Sequence, residues 1–177
     1  MDKILRINMG ADGGPKTTEE PLGDYAGMGG RGMTSAIISK EVPPLCHALG
    51  EDNKLVFAPG MLSGSAAVMS GRLSVGCKSP LTGGIKEANA GGQGAQVLAR
   101  LGYAAIVLEG AAPKDALYKV AINAEGVTIL LVEQNARMAL GVSQTGLILE
   151  NGRFVMKGRA SDLMEDKDVK EFYMGVR

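Results

Sequence analysis

The residues of this chain best suited to chemistry are basic or amide side chains set against glycine. Arg31 stands within Gly29-Gly30-Arg31-Gly32, Arg72 follows Gly71, Lys78 comes later in the same strand-and-turn segment, and Asn89 precedes Gly91-Gly92. Glycine lets a large ligand lie directly against backbone N–H groups, and an arginine fork can grip phosphate oxygens. Residues 89–92 fall where a helix is expected to begin, and the unpaired N–H groups and dipole of a helix start favour an anion. The chemistry within reach is therefore the cradling of a phosphate or a polar heterocycle. Judged by composition alone, the plainer reading of any one such segment is a turn, and Arg72 and Lys78 taken singly read as solvated surface charges.

Other chemistries have less to work with. No GxxxxGK[ST] phosphate loop occurs anywhere in the chain. Cys46, Cys77 and the lone histidine His47 supply too few donors for a zinc or iron–sulfur array. A disulfide is open on count alone, but the N-terminus Met1-Asp2-Lys3-Ile4-Leu5-Arg6 carries no apolar leader, which makes a reduced, cytoplasmic protein the expectation. Basic and acidic residues balance at 19 each. Bulk charge thus gives no support to nucleic-acid binding, and any anion site must be local. No run approaches the roughly 20 apolar residues of a membrane span.

The elements that must position these residues read in two styles. Residues 3–8 form a strand followed by a turn at 10–15, and residues 33–41 form a helix stopped by Pro43-Pro44. Residues 55–58 and 73–77 are short strands. A helix follows Gly91-Gly92 with Val97, Leu98 and Leu101 on one face and Gly102 as its stop, and residues 105–109 and 117–122 close this portion as strands. Of the 26 glycines, 20 lie at or before Gly110, which implies many tight turns or close backbone approaches there. A seam at residues 121–127 ends that style. Residues 127–132 read as a strand buried on both faces, 136–142 as a helix, and 147–150 with 153–156 as a hairpin around Asn151-Gly152. Residues 161–174 form one or two short helices, with Val169, Phe172 and Tyr173 at helical spacing. The seam has no flexible linker, which predicts continuous packing across it or a fusion that never acquired one. A chain of 177 residues fits one domain with or without a small appendage and can bury about 70% of its unfolded surface.

Residues 3–122 resemble the N-terminal domain of the tungsten-containing aldehyde ferredoxin oxidoreductase family. The resemblance is carried, in order, by Gly27-Met28-Gly29-Gly30-Arg31-Gly32-Met33, Asn53-Lys54-Leu55-Val56-Phe57-Ala58-Pro59-Gly60 and Gly71-Arg72-Leu73-Ser74-Val75. It continues through Lys78-Ser79-Pro80-Leu81-Thr82-Gly83, Ala88-Asn89-Ala90-Gly91-Gly92 and Gly102-Tyr103-Ala104-Ala105-Ile106-Val107-Leu108-Glu109-Gly110. The family oxidises aldehydes to carboxylic acids and passes electrons to ferredoxin, using tungsten held by two pterin dithiolenes beside a [4Fe–4S] cluster. The resemblance implies that Arg72, Asn89, Gly91 and, more weakly, Lys78 approach the pterin and its phosphates. It also implies that the cluster cysteines and a second set of pterin contacts lie in later domains.

Residues 125–175 are similar to the C-terminal end of branched-chain amino-acid ABC transporter ATPases, through Gly126-Val127-Thr128-Ile129-Leu130-Leu131-Val132-Glu133-Gln134-Asn135-Ala136 and Leu149-Glu150-Asn151-Gly152-Arg153. Gln134 stands where those ATPases carry a switch histidine, but the phosphate loop, signature motif and magnesium-binding aspartate are missing, so ATP is not an expected ligand and the structural reading of Gln134 is preferred. The expected fold, by resemblance, is α+β. A glycine-rich mixed or antiparallel β-sheet base with few helices spans residues 1–122, and a strand–helix–hairpin–helix tail over 123–177 packs on it. The expected function is tungstopterin binding as part of an aldehyde:ferredoxin oxidoreductase, incomplete alone. Its partners would be the missing oxidoreductase domains or subunits and ferredoxin, with self-association possible through surfaces those domains would cover. The alternatives are a fragment of a transport ATPase and a packed protein that keeps no ligand.

Overall fold

The computed structural model describes residues 1–12, 14–113, 117–123, 126–132, 136–141, 143–150 and 153–174. The chain forms two compact units, the first made of residues 1–11 and 15–111 and the second chiefly of residues 112–177.

The first unit is a six-stranded mixed sheet. Its strands are β1 (Lys3–Asn8), β2 (Lys16–Pro21), β3 (Leu55–Pro59), β4 (Leu73–Lys78), β5 (Ile85–Ala90) and β6 (Tyr103–Glu109), in the order β2-β1-β6-β3-β4-β5. Only β1 and β6 run parallel; every other neighbouring pair is antiparallel. The sheet is the α+β base expected from the sequence. Central β6 is buried from Tyr103 to Val107, which is why it reads as an unbroken apolar run rather than an alternation. The two edge strands, β2 and β5, were not visible in the sequence. Both are exposed along nearly their whole length, so neither face selects apolar residues, and their charged side chains suit unpaired edges.

Helix α1 (Gly30–Glu41) lies across β3, β4 and β5 and starts three residues before the expected Met33. Met33, Thr34, Ile37 and Ile38 form its buried stripe, packed with Ile4, Val56, Ala58, Ala105 and Val107. The helix ends at Glu41, ahead of Pro43-Pro44, as the steric restriction before proline requires. Its seat depends on one glycine. A Cβ on Gly76 of β4 would sit 2.6 Å from the Thr34 Cβ, so the helix backbone comes closer to β4 than any side chain would permit. Helix α2 (Gly94–Arg100) follows Gly91-Gly92 as expected and is closed by Gly102, whose φ is +90°. Its buried face differs from the expectation. Ala95 and Ala99 point inward while Val97 is 45% exposed, and the loop backbone at Gly64 lies so close to this face that a Cβ on Gly64 would stand 2.8 Å from the Ala99 Cβ.

An ion network ties strands to helix at one end of the sheet. Arg6 of β1 donates to Glu20 of β2 at 2.7 Å, to both Glu41 oxygens at 2.8 Å, and to Glu109 at 3.4 Å. Lys54 bridges Glu109 and Glu41, and Tyr25 Oη donates to Glu41 at 2.7 Å. Burial works to raise the Glu41 carboxyl, but the hydrogen bonds from Arg6 and Tyr25, with the charges of Arg6 and Lys54, overcome it and bring the carboxyl down to about 2. Burial, followed by its bond to Glu41, pushes Tyr25 up to about 12.

In the second unit β7 (Leu117–Asn123) pairs antiparallel with β8 (Gly126–Val132), and β9 (Thr145–Glu150) with β10 (Arg153–Arg159). Helices α3 (Ala136–Gly141) and α4 (Ala160–Glu165) and a π-helical turn at Val169–Tyr173 complete it. The β9–β10 pairing is the expected hairpin, and its Asn151-Gly152 turn lies outside the described residues. Leu140, Ala160, Leu163 and Val169 make a small core with Ile148 and Met156 against it. Gln134 and the side chain of Phe172 lie outside the described residues. Among the described residues no helix is long and apolar enough to cross a membrane.

Two outcomes follow from these contacts. A Gly76→Ala chain has to push α1 off β4 and is expected to lose about 1–3 kcal/mol in denaturant unfolding. Because the folded Glu41 carboxyl lies below its ordinary 4.5, the stability it contributes is present above about pH 4.5 and is lost as pH falls toward about 2. Glu41→Gln is expected to cost about 2 kcal/mol at neutral pH and to flatten the fall of Tm across that acid window. An unchanged acid profile in Glu41→Gln would remove this network as its source.

Candidate functional site

The pairing of β4 with β5 sets the site. Their register places Leu73 opposite Ala90 and Ser74 opposite Asn89; continued by one step, it brings Arg72 opposite Gly91. Here, at the open end of the β4–β5 hairpin, lies a cavity of about 320 Å³, whose walls include Ser70, Gly71 and Arg72 on one side and Gly91, Gly92 and Gln96 on the other. The two walls touch closely. A Cβ on Gly71 would stand 2.7 Å from the Gly92 carbonyl oxygen, so only glycine permits this approach. Arg72 is the one charged side chain of the lining, which includes no carboxylate. Arg72 takes part in none of the ion pairs among the described residues. An exposed guanidinium beside glycine backbone suits an anion with several oxygens, such as a phosphate.

The four residues singled out in the sequence divide between the two ends of the hairpin. Arg72 and Gly91 meet in the cavity. Asn89 sits next to it on β5, where its Oδ1 accepts a 2.8 Å bond from the buried Ser74 hydroxyl, so the side chain ties the last residues of β5 to the first of β4. Lys78 is at the hairpin's closed end, opposite Ile85, about 20 Å along the strand from Arg72 at the usual rise. Its side chain is buried and its Nζ donates to the Pro44 carbonyl, while its backbone N–H is held by Asn53 at 3.0 Å. Lys78 therefore faces a different part of the molecule from the cavity.

Arg31 also lies elsewhere. Its Nε pairs with Glu87 of β5 at 2.8 Å, and the other Glu87 oxygen is buried with no hydrogen-bond partner among the described residues. Cys46 and Cys77 are free thiols. His47 Nδ1 accepts from the Leu49 N–H at 3.2 Å, a local turn contact. Among the described residues no three His, Cys, Asp or Glu side chains gather as metal ligands. A second cavity of about 270 Å³ is lined by Glu41, Glu51, Asp52 and Glu109, with Lys54 as its cation; its carboxylates suit it poorly to an anion.

The residue that sequence reasoning passed over is Gln96. Its Oε1 accepts from the Gly64 N–H at 2.6 Å and its Nε2 donates to Ser70 Oγ at 3.0 Å. Nothing in a helical glutamine announces a partner 32 residues away. Only the placement of α2 after Gly91-Gly92 hinted at it.

Comparison with known proteins places this architecture. Tungsten-containing aldehyde ferredoxin oxidoreductase of Pyrococcus horikoshii is 40% identical over 130 residues, which cover 72% of this chain and 21% of that protein. A solved structure of the active site complex BamBC of benzoyl coenzyme A reductase, holding 1,5-dienoyl-CoA, superposes with a TM-score of 0.63 at 29% identity, over 72% of this chain and 19% of that one. A high-affinity branched-chain amino acid transport ATP-binding protein of Pseudomonas aeruginosa is 43% identical over 54 residues, covering 30% of this chain and 23% of that protein. The matched stretch spans about a fifth or less of the oxidoreductase relatives, between 14% and 21% of their length. The sequence model of the aldehyde ferredoxin oxidoreductase N-terminal domain matches residues 4–159, across the seam at 121–127. The sheet with its glycine-walled cavity and the reach of that match lead to one assignment: the chain belongs to the aldehyde ferredoxin oxidoreductase family, as its N-terminal domain.

Proposed function

We propose that this chain is the cofactor-binding base of a tungsten or molybdenum oxidoreductase and that the cavity between Arg72 and Gly91-Gly92 takes a phosphate end of a tungstopterin. The observation that carries this reading is the register of β4 and β5, which sets the one cation of the cavity opposite a glycine backbone with no carboxylate nearby. The donor set fits a pterin phosphate: a guanidinium able to fork onto two oxygens, and glycine walls that leave a bulky ring system unobstructed. Asn89 acts beside it by holding the β5 end through Ser74. Lys78 serves the fold at the far end, through Pro44.

When bound, the metal–dithiolene group would supply the redox chemistry. The residues of this chain bind and orient it, with Arg72 offsetting phosphate charge that would otherwise need water. Oxidation of an aldehyde to a carboxylate, with electrons passed to ferredoxin, would draw its cluster and remaining pterin contacts from further polypeptide, since the matched stretch spans so little of the relatives. The solved relative of the same fold is a benzoyl coenzyme A reductase complex, so in this reading the base holds the cofactor and other domains choose the substrate. The [4Fe–4S] cluster belongs to those domains.

Expression of the chain in cells supplied with tungstate or molybdate, followed by metal analysis and pterin fluorescence, tests this function. The wild-type chain is expected to retain metal and pterin together, and Arg72→Ala to lower that retention about tenfold, the loss of one charge-assisted fork. A wild-type chain carrying neither, or an Arg72→Ala chain carrying as much, overturns the assignment. Gly71→Ala keeps the arginine but forces the Gly92 wall outward. Its retention is expected to fall comparably, with Tm within a few degrees of wild type.

A further inference from the structure

We propose that Gln96 is a positioning residue for this cavity, holding the loop at residues 60–72 against α2 so that Arg72 faces the glycine wall. The inference rests on reading the cavity as the cofactor's phosphate site. The loop links β3 to β4 without regular structure of its own, and its packing is inverted. Its large apolar side chains point to solvent, with Met61 58%, Leu62 65%, Val68 90% and Met69 103% exposed, while Ser63 is buried. Burial of apolar surface, the ordinary anchor of a loop, therefore contributes little here. Hydrogen bonds must do the holding.

Most of those bonds are internal to the loop. Ser63 Oγ donates to the Ser70 carbonyl at 2.6 Å, Ser70 Oγ donates to the Ala67 carbonyl at 2.9 Å, and the Arg72 N–H donates to the Ser70 carbonyl at 2.9 Å. They give the loop a shape but do not place it. Among the described residues, the side-chain hydrogen bonds that reach it from outside come from Gln96, to Gly64 and to Ser70. The orientation of that amide follows from chemistry: the Gly64 N–H can only donate, so the amide oxygen faces it and the NH2 group faces the Ser70 hydroxyl. Both ends of the side chain are thus spent on the loop, and Ser70, the residue it grips, also accepts the Arg72 N–H, one of two backbone bonds on Arg72; the other runs from the Gly60 N–H to the Arg72 carbonyl at 3.0 Å. Met69 holds a left-handed backbone at φ +57° on the cavity rim. A side chain there is strained, and the strain persists only where neighbouring contacts fix the chain on both sides.

Amide hydrogen exchange on the full chain tests this directly, with Gln96→Met removing both bonds at similar length and Gln96→Glu keeping the oxygen for Gly64. Gln96→Met is expected to speed exchange at the Gly64 amide about tenfold or more, to leave β1 and β6 amides unchanged, and to lower metal and pterin retention as far as Arg72→Ala does. Gln96→Glu is expected to restore Gly64 protection, a rescue that a general loss of packing would not show. Unchanged Gly64 exchange in Gln96→Met overturns the proposal, and so does faster exchange with full retention of metal and pterin. The two readings separate cleanly. If the wild-type chain holds no pterin, the cofactor site fails and the positioning role toward it fails too, while Gly64 exchange still reports whether Gln96 braces the loop.

Discussion

The antiparallel register between β4 and β5 is the constraint on which the site depends. A shift of one residue would turn every side chain of either strand to the other face of the sheet. Arg72 would then no longer stand opposite Gly91, and Ser74 would lose Asn89. The register is secured from one face and both ends. Ser74, Gly76 and Lys78 alternate toward α1 and are buried. At the closed end, the Ser79 N–H donates to the Gly84 carbonyl at 2.7 Å to finish the turn, and at the open end the Ser74–Asn89 bond fastens the strands just before they part.

The helix that secures this register is held by the absence of a side chain. With Gly76 in β4, Thr34 can lie against the strand backbone while its hydroxyl satisfies itself on the Arg31 carbonyl at 3.1 Å. The Arg6 network then fixes the other end of α1 through Glu41. Each charge there has a partner, and the hydrogen bonds from Arg6 and Tyr25 together with the charges of Arg6 and Lys54 outweigh the penalty of burial on the carboxylate. The sheet and α1 thus form a rigid frame of apolar packing and paired charge. The loop at residues 60–72 is joined to that frame by other means, chiefly polar, which is consistent with a part that must meet a ligand or another domain.

Strands with a buried face were legible in the sequence because burial selects apolar residues: β1, β3, β4 and β6 each fall within a residue or two of where they were expected. The edge strands were not, since Lys-Thr-Thr-Glu-Glu and Ile-Lys-Glu-Ala-Asn owe their extended form to a neighbour's ladder and not to their own pattern. The face of α2 was misjudged for a related reason. Periodicity favours Val97 and Leu98 as inward residues, but the buried face carries Ala95 and Ala99, and the loop backbone at Gly64 comes close against Ala99.

The sequence by itself determined the residue types that could meet an anion, arginine and asparagine set among glycines, and through ordered motifs the family they belong to. It also ruled on charge and composition, which depend on no neighbour. Only the tertiary structure decided which of those residues share a site. Arg72 and Lys78 look alike as basic residues in one short segment, yet opposite ends of a strand separate them, and the lysine is spent on Pro44. Gln96 became visible in the same way. Its role exists only where α2 and the loop at 60–72 come together, because a hydrogen bond is set by distance in space and carries no mark in the spacing of residues along the chain.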